Sequence, residues 1–221
     1  MKHSEYILAV DAVYDNMVSG LEQGLSQIGL GDFCEAVAGS LVIRQRRFLE
    51  TCSDYRQILP YVLLTQQRED GSTVFIPYFR AKGVGEERLL GNVSVGFGGH
   101  IDLADVVFTN DSIINLNQTI MTNVSRELSE ELTMSSGGVD LPVYDIGLIA
   151  DDSNEVGKVH LGICLMMQLP AGVVVTANEP SLEIIEPMTA KELLDKYSDK
   201  LENWSRIVLE KFAGLGRVEA A

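Results

Sequence analysis

Cysteine, histidine and tryptophan are scarce in this chain, with three, three and one among 221 residues, and aromatics reach only 7%. The cysteines, Cys34, Cys52 and Cys164, are odd in number, far apart and without a C-x-x-C pair. That excludes a disulfide framework and a cysteine-rich zinc module, and it suits reduced thiols, so a cytoplasmic setting is expected. Long apolar runs are absent too. The run near the start, Ile7 to Val10, is four residues long, too short for the core of a signal peptide. The most apolar later stretch, "LGICLMMQLPAGVVV", is interrupted by Gln168 and Pro170 and is not expected to span a bilayer. Positive charge is the other deficit: 17 basic against 32 acidic side chains leave a net charge of −15. Such a field repels nucleic acid and anionic lipid, so neither is an expected partner. Internal repeats, low-complexity segments and convincing linkers are missing as well.

What is present is enough apolar residue, 46%, to bury a full core without a metal or disulfide staple. "EYILAV" at Glu5 to Val10 reads as a strand. Val13, Met17, Leu21, Leu25 and Ile28 then recur at helical spacing, and Gly29 and Gly31 would close that helix. "CEAVAGSLVIRQRRFLE" is ambiguous: a short element, then a loop. "QILPYVLLTQQ" and "TVFIPYFRAK" read as strands joined by the turn "EDGS", with Pro60 at an edge or a strand start. "GVGEER" is a loop, and "LLGNVSVGFGGHI" a glycine-rich strand. A long helix runs from about Asn117 to Leu132, because Leu116, Ile120, Val124, Leu128 and Leu132 form one apolar stripe. Gly137 and Gly138 close it. "VYDIGLIADD" and "VGKVHLGICLMMQL" read as strands around a polar turn. "TAKELLDKYSDKLENWSRIVLEKF" reads as a helix capped by Thr189. The fold class is α/β with a mixed sheet. Residues 1–55 are expected to form a small α/β extension and residues 56–221 the main domain.

"SRELSEEL" at Ser125 to Leu132 holds the chemistry. Residues three and four apart are neighbours on a helix, so Glu127 lies beside Glu130 and Glu131. Like charges at that spacing cost roughly 0.2–0.5 kcal/mol per pair, and the C-terminal half of a helix disfavours them further. Leu128 and Leu132 pin the helix, so the acids cannot swing away. Either they form a solvated face or a divalent cation turns repulsion into coordination. Mg²⁺ takes carboxylates, waters and substrate phosphate oxygens rather than an all-protein cage.

With "GGHID" upstream, these residues resemble the box of the Nudix hydrolases: G, five residues, E, seven residues, then R-E-U-x-E-E-x-G-U. Arg126, Glu127, Leu128, Ser129, Glu130, Glu131, Leu132, Thr133 and Met134 align with the second half, and Gly99 with the first. Counted forward from Gly99, the first acid falls on Asp105; counted back from Arg126, it falls on Gln118. The difference is the 13 residues from 106 to 118, an expanded loop. Thr133 stands where the box has glycine. "ILPYVLLTQ", "RAKGVGEERLLGNVSVGFGGHI" and "DDSNEVGKVHLG" are similar to a branch of predicted phosphoesterases within that superfamily. The resemblance implies a Nudix-like α/β/α sandwich and Mg²⁺ or Mn²⁺ bound by Glu127, Glu130 and Glu131, with Gly99 at the metal and Arg126 orienting the acids.

Arg80, Arg88, His100 and Lys158 are candidate contacts for a phosphorylated small molecule. The guanidinium is suited to phosphate by its fork, and Lys158 closes the turn "DDSNEVGK", which the resemblance brings to the pocket. Surface pairing with Glu86 and Glu87 is the plain alternative for Arg80 and for Lys82. Glu183 and Glu186 are candidate extra acids. His160 and Cys164 share a strand face, but no third ligand follows at zinc spacing. Arg44, Arg46 and Arg47 form the basic cluster, a solvated face or an anion contact across a homodimer. The leading expectation is a metal-dependent hydrolase cleaving a diphosphate linkage in a nucleotide-like or other phosphorylated molecule. A non-catalytic nucleotide-binding sensor is the second reading. Isoprenoid diphosphate isomerisation is the third, and no cysteine here sits in a motif for it.

Overall fold

Strands and helices alternate along the chain, and glycine and proline decide where each stops. The computed structural model describes residues 5–81, 91–135 and 141–215. The elements are β1 (Tyr6–Asp11), α1 (Asn16–Ser19), β2 (Gly24–Ser26), α2 (Leu30–Val37), β3 (Leu41–Gln45), α3 (Arg46–Leu49), β4 (Tyr55–Gln67), β5 (Thr73–Phe75), β6 (Tyr78–Arg80), β7 (Val93–Ser94) and β8 (Gly96–Phe97). They continue with α4 (Leu116–Glu131), β9 (Leu132–Met134), β10 (Val143–Ala150), β11 (His160–Gln168), β12 (Val175–Ala177), β13 (Leu182–Ile184), α5 (Ala190–Tyr197) and α6 (Asn203–Leu215). The chain divides into two compact units. The first comprises Met1–Tyr61, Gly98–Arg126 and Asp145–Leu165; the second comprises Val62–Phe97, Glu127–Tyr144 and Met166–Ala221.

In the first unit the strands follow the order β2-β10-β11-β4-β1-β3. β1 is antiparallel to β3, with Leu8 opposite Ile43, and to β4, with Val10 opposite Arg56. Ile7 to Val10 are all buried, which explains a continuous apolar run in place of alternation. Ile7, Ala9 and Leu49 form one core cluster, flanked by Val42 and Tyr55. β10 is antiparallel to β2, and Gly147 permits that contact. Its φ is +141°, and a Cβ there would stand 1.8 Å from the Ser26 carbonyl oxygen. Gly147→Ala therefore forces strain and a backbone clash together. It is expected to destabilise the chain by more than about 2 kcal/mol. Urea unfolding checks this, and an unchanged midpoint would refute it.

In the second unit β4 pairs with β8 at Val62 and Leu63 and with β5 from Thr65 to Gln67. β6 pairs with β13 and β7, and β9 pairs with β12. Aromatic contacts fill the space between strands and helices. Phe75 meets Phe212 edge-on at 5.2 Å, Phe79 meets Tyr197 at 5.5 Å, and Tyr78 lies 4.8 Å from Phe97. The ring of Tyr197 on α5 thus packs against β6. Thr189 caps α5 by accepting from the Glu192 N–H, while the Glu192 carboxylate accepts from the Thr189 N–H.

Several expectations need correction. The helix read through Val13 to Ile28 is a single turn, α1, followed by the short strand β2. Asp15 caps that turn, Gly20 ends it, and Gly24 adopts φ +111°, which no helix allows. Gly29 and Gly31 stand at the start of α2 and close nothing. Pro60 is neither an edge nor a start residue. It sits inside β4 between the residues paired with β1 and those paired with β8, at a changeover of neighbours where its missing N–H is tolerated. "TVFIPYFRAK" is split at Ile76 and Pro77, so β5 and β6 join different ladders. The C-terminal helix is two helices broken between Ser198 and Glu202. Lys82, Glu86, Glu87, Arg88, Gly137 and Gly138 lie outside the described residues.

Candidate functional site

α4 carries the acidic turn, and its apolar stripe behaves as the periodicity requires. Leu116, Ile120, Val124, Leu128 and Leu132 are all buried. Burying each leucine contributes roughly 1.5–3 kcal/mol, so the rotation of the helix about its axis is set. On the flank, Glu127 and Glu131 are half-buried and Glu130 is exposed. Asn115 caps the helix, accepting the Gln118 N–H at 3.1 Å on its side chain.

Arg126 is held by Asp105. The guanidinium donates from Nε to Oδ1 and from Nη2 to Oδ2, both at 2.8 Å, a bidentate pair. Asp105 is 2% exposed and accepts two further bonds, from Asn123 Nδ2 at 3.0 Å and from the Asp102 N–H at 3.0 Å. Burial alone would raise the Asp105 carboxyl. The bonds from Arg126, Asn123 and Asp102 outweigh it and hold the group below the ordinary carboxylate range. Asp102, 3.9 Å from Arg126, goes the other way: burial raises it more than Arg126 lowers it. Of Asp105 and Gln118 it is Asp105 that holds Arg126, while Gln118 is exposed in the first turn of α4.

The turn that carries Gly98, Gly99 and His100 is tied to the same group. The His100 carbonyl accepts from Asn123 Nδ2 at 2.8 Å and from Arg126 Nη2 at 3.2 Å. Asn123 and Arg126, one helical turn apart, therefore grip the same two acceptors. Gly98 has φ +136°, and a Cβ there would meet the Pro60 carbonyl oxygen at 2.3 Å, so the turn requires glycine. β1 supports it through the Leu8 N–H, which donates to the Ile101 carbonyl at 2.9 Å. The expanded loop forms a small hairpin, with a bridge between Phe108 and Ile114 and φ +60° at Ser112. Asn115 then starts the helix, and Val107 N–H donates to Thr119 Oγ1. Asn123 has no place in the box, but its position three residues before Arg126 on the same helix was the available signal.

The remaining candidates lie as follows. Arg80 donates to Glu202 from Nε at 2.5 Å and lies over the Tyr78 ring, 5.5 Å from its centroid. Burial pushes the Tyr78 hydroxyl up; Arg80 opposes this, and Glu202 and Glu131 add to it, so all three charges bear on one hydroxyl. Lys158 is partly exposed and pairs with Glu155 at 2.6 Å. Its turn is held by Arg56, which donates to Asp152 at 2.7 Å and to the Gly157 carbonyl at 3.1 Å. Glu183 and Glu186 are exposed. Arg46 pairs with Glu5 and Glu50, and Arg47 with Gln45. His160 begins β11, and Cys164 is buried. Thr133, in place of the glycine of the box, lies in β9 with its hydroxyl donating to Asn178, a position where a side chain is accommodated.

No family model matches the sequence. The protein YmaB of Bacillus subtilis (strain 168) is 35% identical over 157 residues, 71% of this chain and 70% of that protein. The chain belongs to the YmaB family. A solved structure of similar fold is that of Tm1382, named there as a candidate Nudix hydrolase. This YmaB relative superposes on it with a TM-score of 0.72 at 23% identity, over 96% of this chain and 100% of the other. The fold is therefore the Nudix fold that the box on α4 implies. The NUDIX domain of Shewanella oneidensis NrtR, solved with ADP ribose, is a looser match at 11% identity and a TM-score of 0.46, over 72% and 88% of the two chains. No helix among the described residues is long and apolar enough to cross a membrane.

Whether these side chains fit a divalent cation rests on donor type and register. Among the described residues no group of three or more His, Cys, Asp or Glu stands gathered to hold a metal ion. Glu127, Glu130 and Glu131 nevertheless offer hard oxygen donors on one flank of a fixed helix. An ion that completes its shell with waters and ligand oxygens needs only one or two carboxylates, and these are the side chains of α4 whose donor type suits a hard divalent cation.

Proposed function

We propose that the chain is a divalent-cation-dependent hydrolase that cleaves a diphosphate linkage in a nucleotide-like or other phosphorylated small molecule. The observation that carries the reading is the bidentate pair of the buried Asp105 with Arg126, immediately before Glu127 on α4. It serves as a brace for the acidic turn, whose spacing a surface helix would not need. Glu127, Glu130 and Glu131 would hold Mg²⁺ or Mn²⁺, with the Gly99 carbonyl as a further oxygen. The bound cation supplies charge neutralisation on phosphate oxygens and an acidified water. Glu130 or Glu131 takes the proton of the attacking water, and Glu127 completes the acidic set. Arg80, oriented by Glu202, offers its guanidinium to a phosphate, and Arg88, His100 and Lys158 are the other proposed substrate contacts. Arg126 works on the acids, with its Nε and Nη2 donors committed to Asp105 and the His100 carbonyl.

Phosphate release from a panel of nucleoside diphosphate derivatives and other diphosphates, with Mg²⁺ and with Mn²⁺, tests the reading. Turnover that needs the cation and is abolished by chelation is the expected result. Tight ligand binding without turnover on any member would instead establish the sensor reading.

A further inference from the structure

We propose that Gln57, His100 and His160 form a binding site for one transition-metal cation of the zinc class, separate from the carboxylates of α4. The three come from β4, the turn after β8, and the start of β11, all in the first unit. His100 Nε2 lies 3.3 Å from His160 Nε2 and 2.9 Å from Gln57 Oε1. The two rings meet at 61° with centroids 5.4 Å apart, so the nitrogens converge without the rings stacking. Zinc binds imidazole nitrogen at about 2.0–2.1 Å, and two such ligands on a tetrahedral ion stand about 3.3 Å apart. That spacing, a hydrogen-bond contact in the metal-free chain, also suits two ligands of one metal.

Three further features agree. His160 Nδ1–H donates to the Val156 carbonyl at 2.7 Å, which fixes the tautomer that leaves Nε2 as a lone-pair donor. A backbone carbonyl in that place is the usual orienting partner of a metal-bound histidine. His100 is held from its main chain, where Asn123 and Arg126 grip its carbonyl, so its ring has a fixed origin. Gln57 is fully buried, and its Nε2 has no hydrogen-bond partner among the described residues. Its carboxamide thus aims oxygen at the imidazoles although its nitrogen is left unsatisfied. In the metal-free chain that oxygen accepts from His100 Nε2–H, and a bound metal would stand in place of that proton. Both histidines are half-buried and so partly open to solvent. Two imidazoles and a neutral oxygen favour zinc, nickel or cobalt over magnesium. The sequence concealed the site because its ligands are 43 and 60 residues apart and one of them is a glutamine.

The test uses the full chain, stripped with a chelator and titrated with Co²⁺ alone, then with Zn²⁺ in competition. One equivalent should bind, with the intense visible bands of tetrahedral cobalt, and Zn²⁺ should displace it. His160→Gln and His100→Gln should each weaken binding by at least about 100-fold, and Gln57→Leu by about 10-fold with the bands retained. Glu127→Gln with Glu130→Gln should leave the bands unchanged. Circular dichroism of the metal-free variants establishes that they are folded. Should one histidine variant fail to fold, the other carries the test. Cobalt bound equally well by every folded histidine variant would overturn the proposal. So would a weak octahedral spectrum that the glutamate substitutions remove, or no stoichiometric binding at all.

Discussion

Glu130→Gln is expected to lower kcat by at least about 100-fold on the diphosphate that turns over best, with the fold intact. Glu130 is exposed on α4, so the amide disturbs no packing, and such surface changes stay within about 0.5 kcal/mol. Removing one charge also relieves its repulsion with Glu127, three residues away, by roughly 0.2–0.5 kcal/mol. The thermal midpoint should therefore hold or rise slightly while Mn²⁺ affinity and turnover fall. That combination separates a metal-holding carboxylate from a solvated one, whose loss would move neither. Parallel measurement of kcat, KM and Mn²⁺ binding at saturating cation decides it. A variant with full turnover would remove the acidic turn from the mechanism.

Asp105→Ala is the second large effect, and it falls on stability first. The substitution removes the acceptor of four hydrogen bonds and leaves the Arg126 guanidinium without its bidentate partner. Breaking a buried pair from one side costs about 3–5 kcal/mol. Arg126 is 27% exposed and recovers part of that by hydration, so about 3 kcal/mol is expected. In a chain of this length that lowers the midpoint by about 6–12 °C. Asp105→Asn keeps the shape and removes the charge, which makes it the probe for pH. The native carboxyl is held below its unfolded value of about 3.9. Its contribution is thus present above that value and is lost as pH falls through the lower folded pKa. The stability gap between the native chain and Asp105→Asn should be full near neutrality and close in acid. Asp102, raised by burial, contributes in the opposite sense, with stability present at low pH and lost as pH rises through its folded pKa. The comparison with the variant cancels that background. A gap independent of pH would refute the role given to the Asp105 charge.

The long helix was legible because its period is local: five apolar residues four apart place one face inward whatever surrounds them, and all five are buried. The strand at Ile7 to Val10, the hairpin at "EDGS" and the Thr189 cap were legible for the same reason. Where local signals competed, reading failed. Val13 to Ile28 has helical spacing, yet Asp15, Gly20 and Gly24 stop the helix after one turn. Pro60 was read as an edge residue because nothing in its neighbours reveals that β4 exchanges one partner for another beside it.

The sequence by itself determined the fold class, the acidic turn and its place on a pinned helix, since each depends on residues within a few turns of one another. Only the tertiary structure decided which acid holds Arg126, because Asp105 is 21 residues away across an expanded loop whose hairpin brings it back. It alone decided that Arg80 is oriented by Glu202 and that His100 meets Gln57 and His160. Pairings of that kind are set by how strands order in a sheet. No spacing along the chain encodes that order, because the contacts that fix it are spread through the whole buried core.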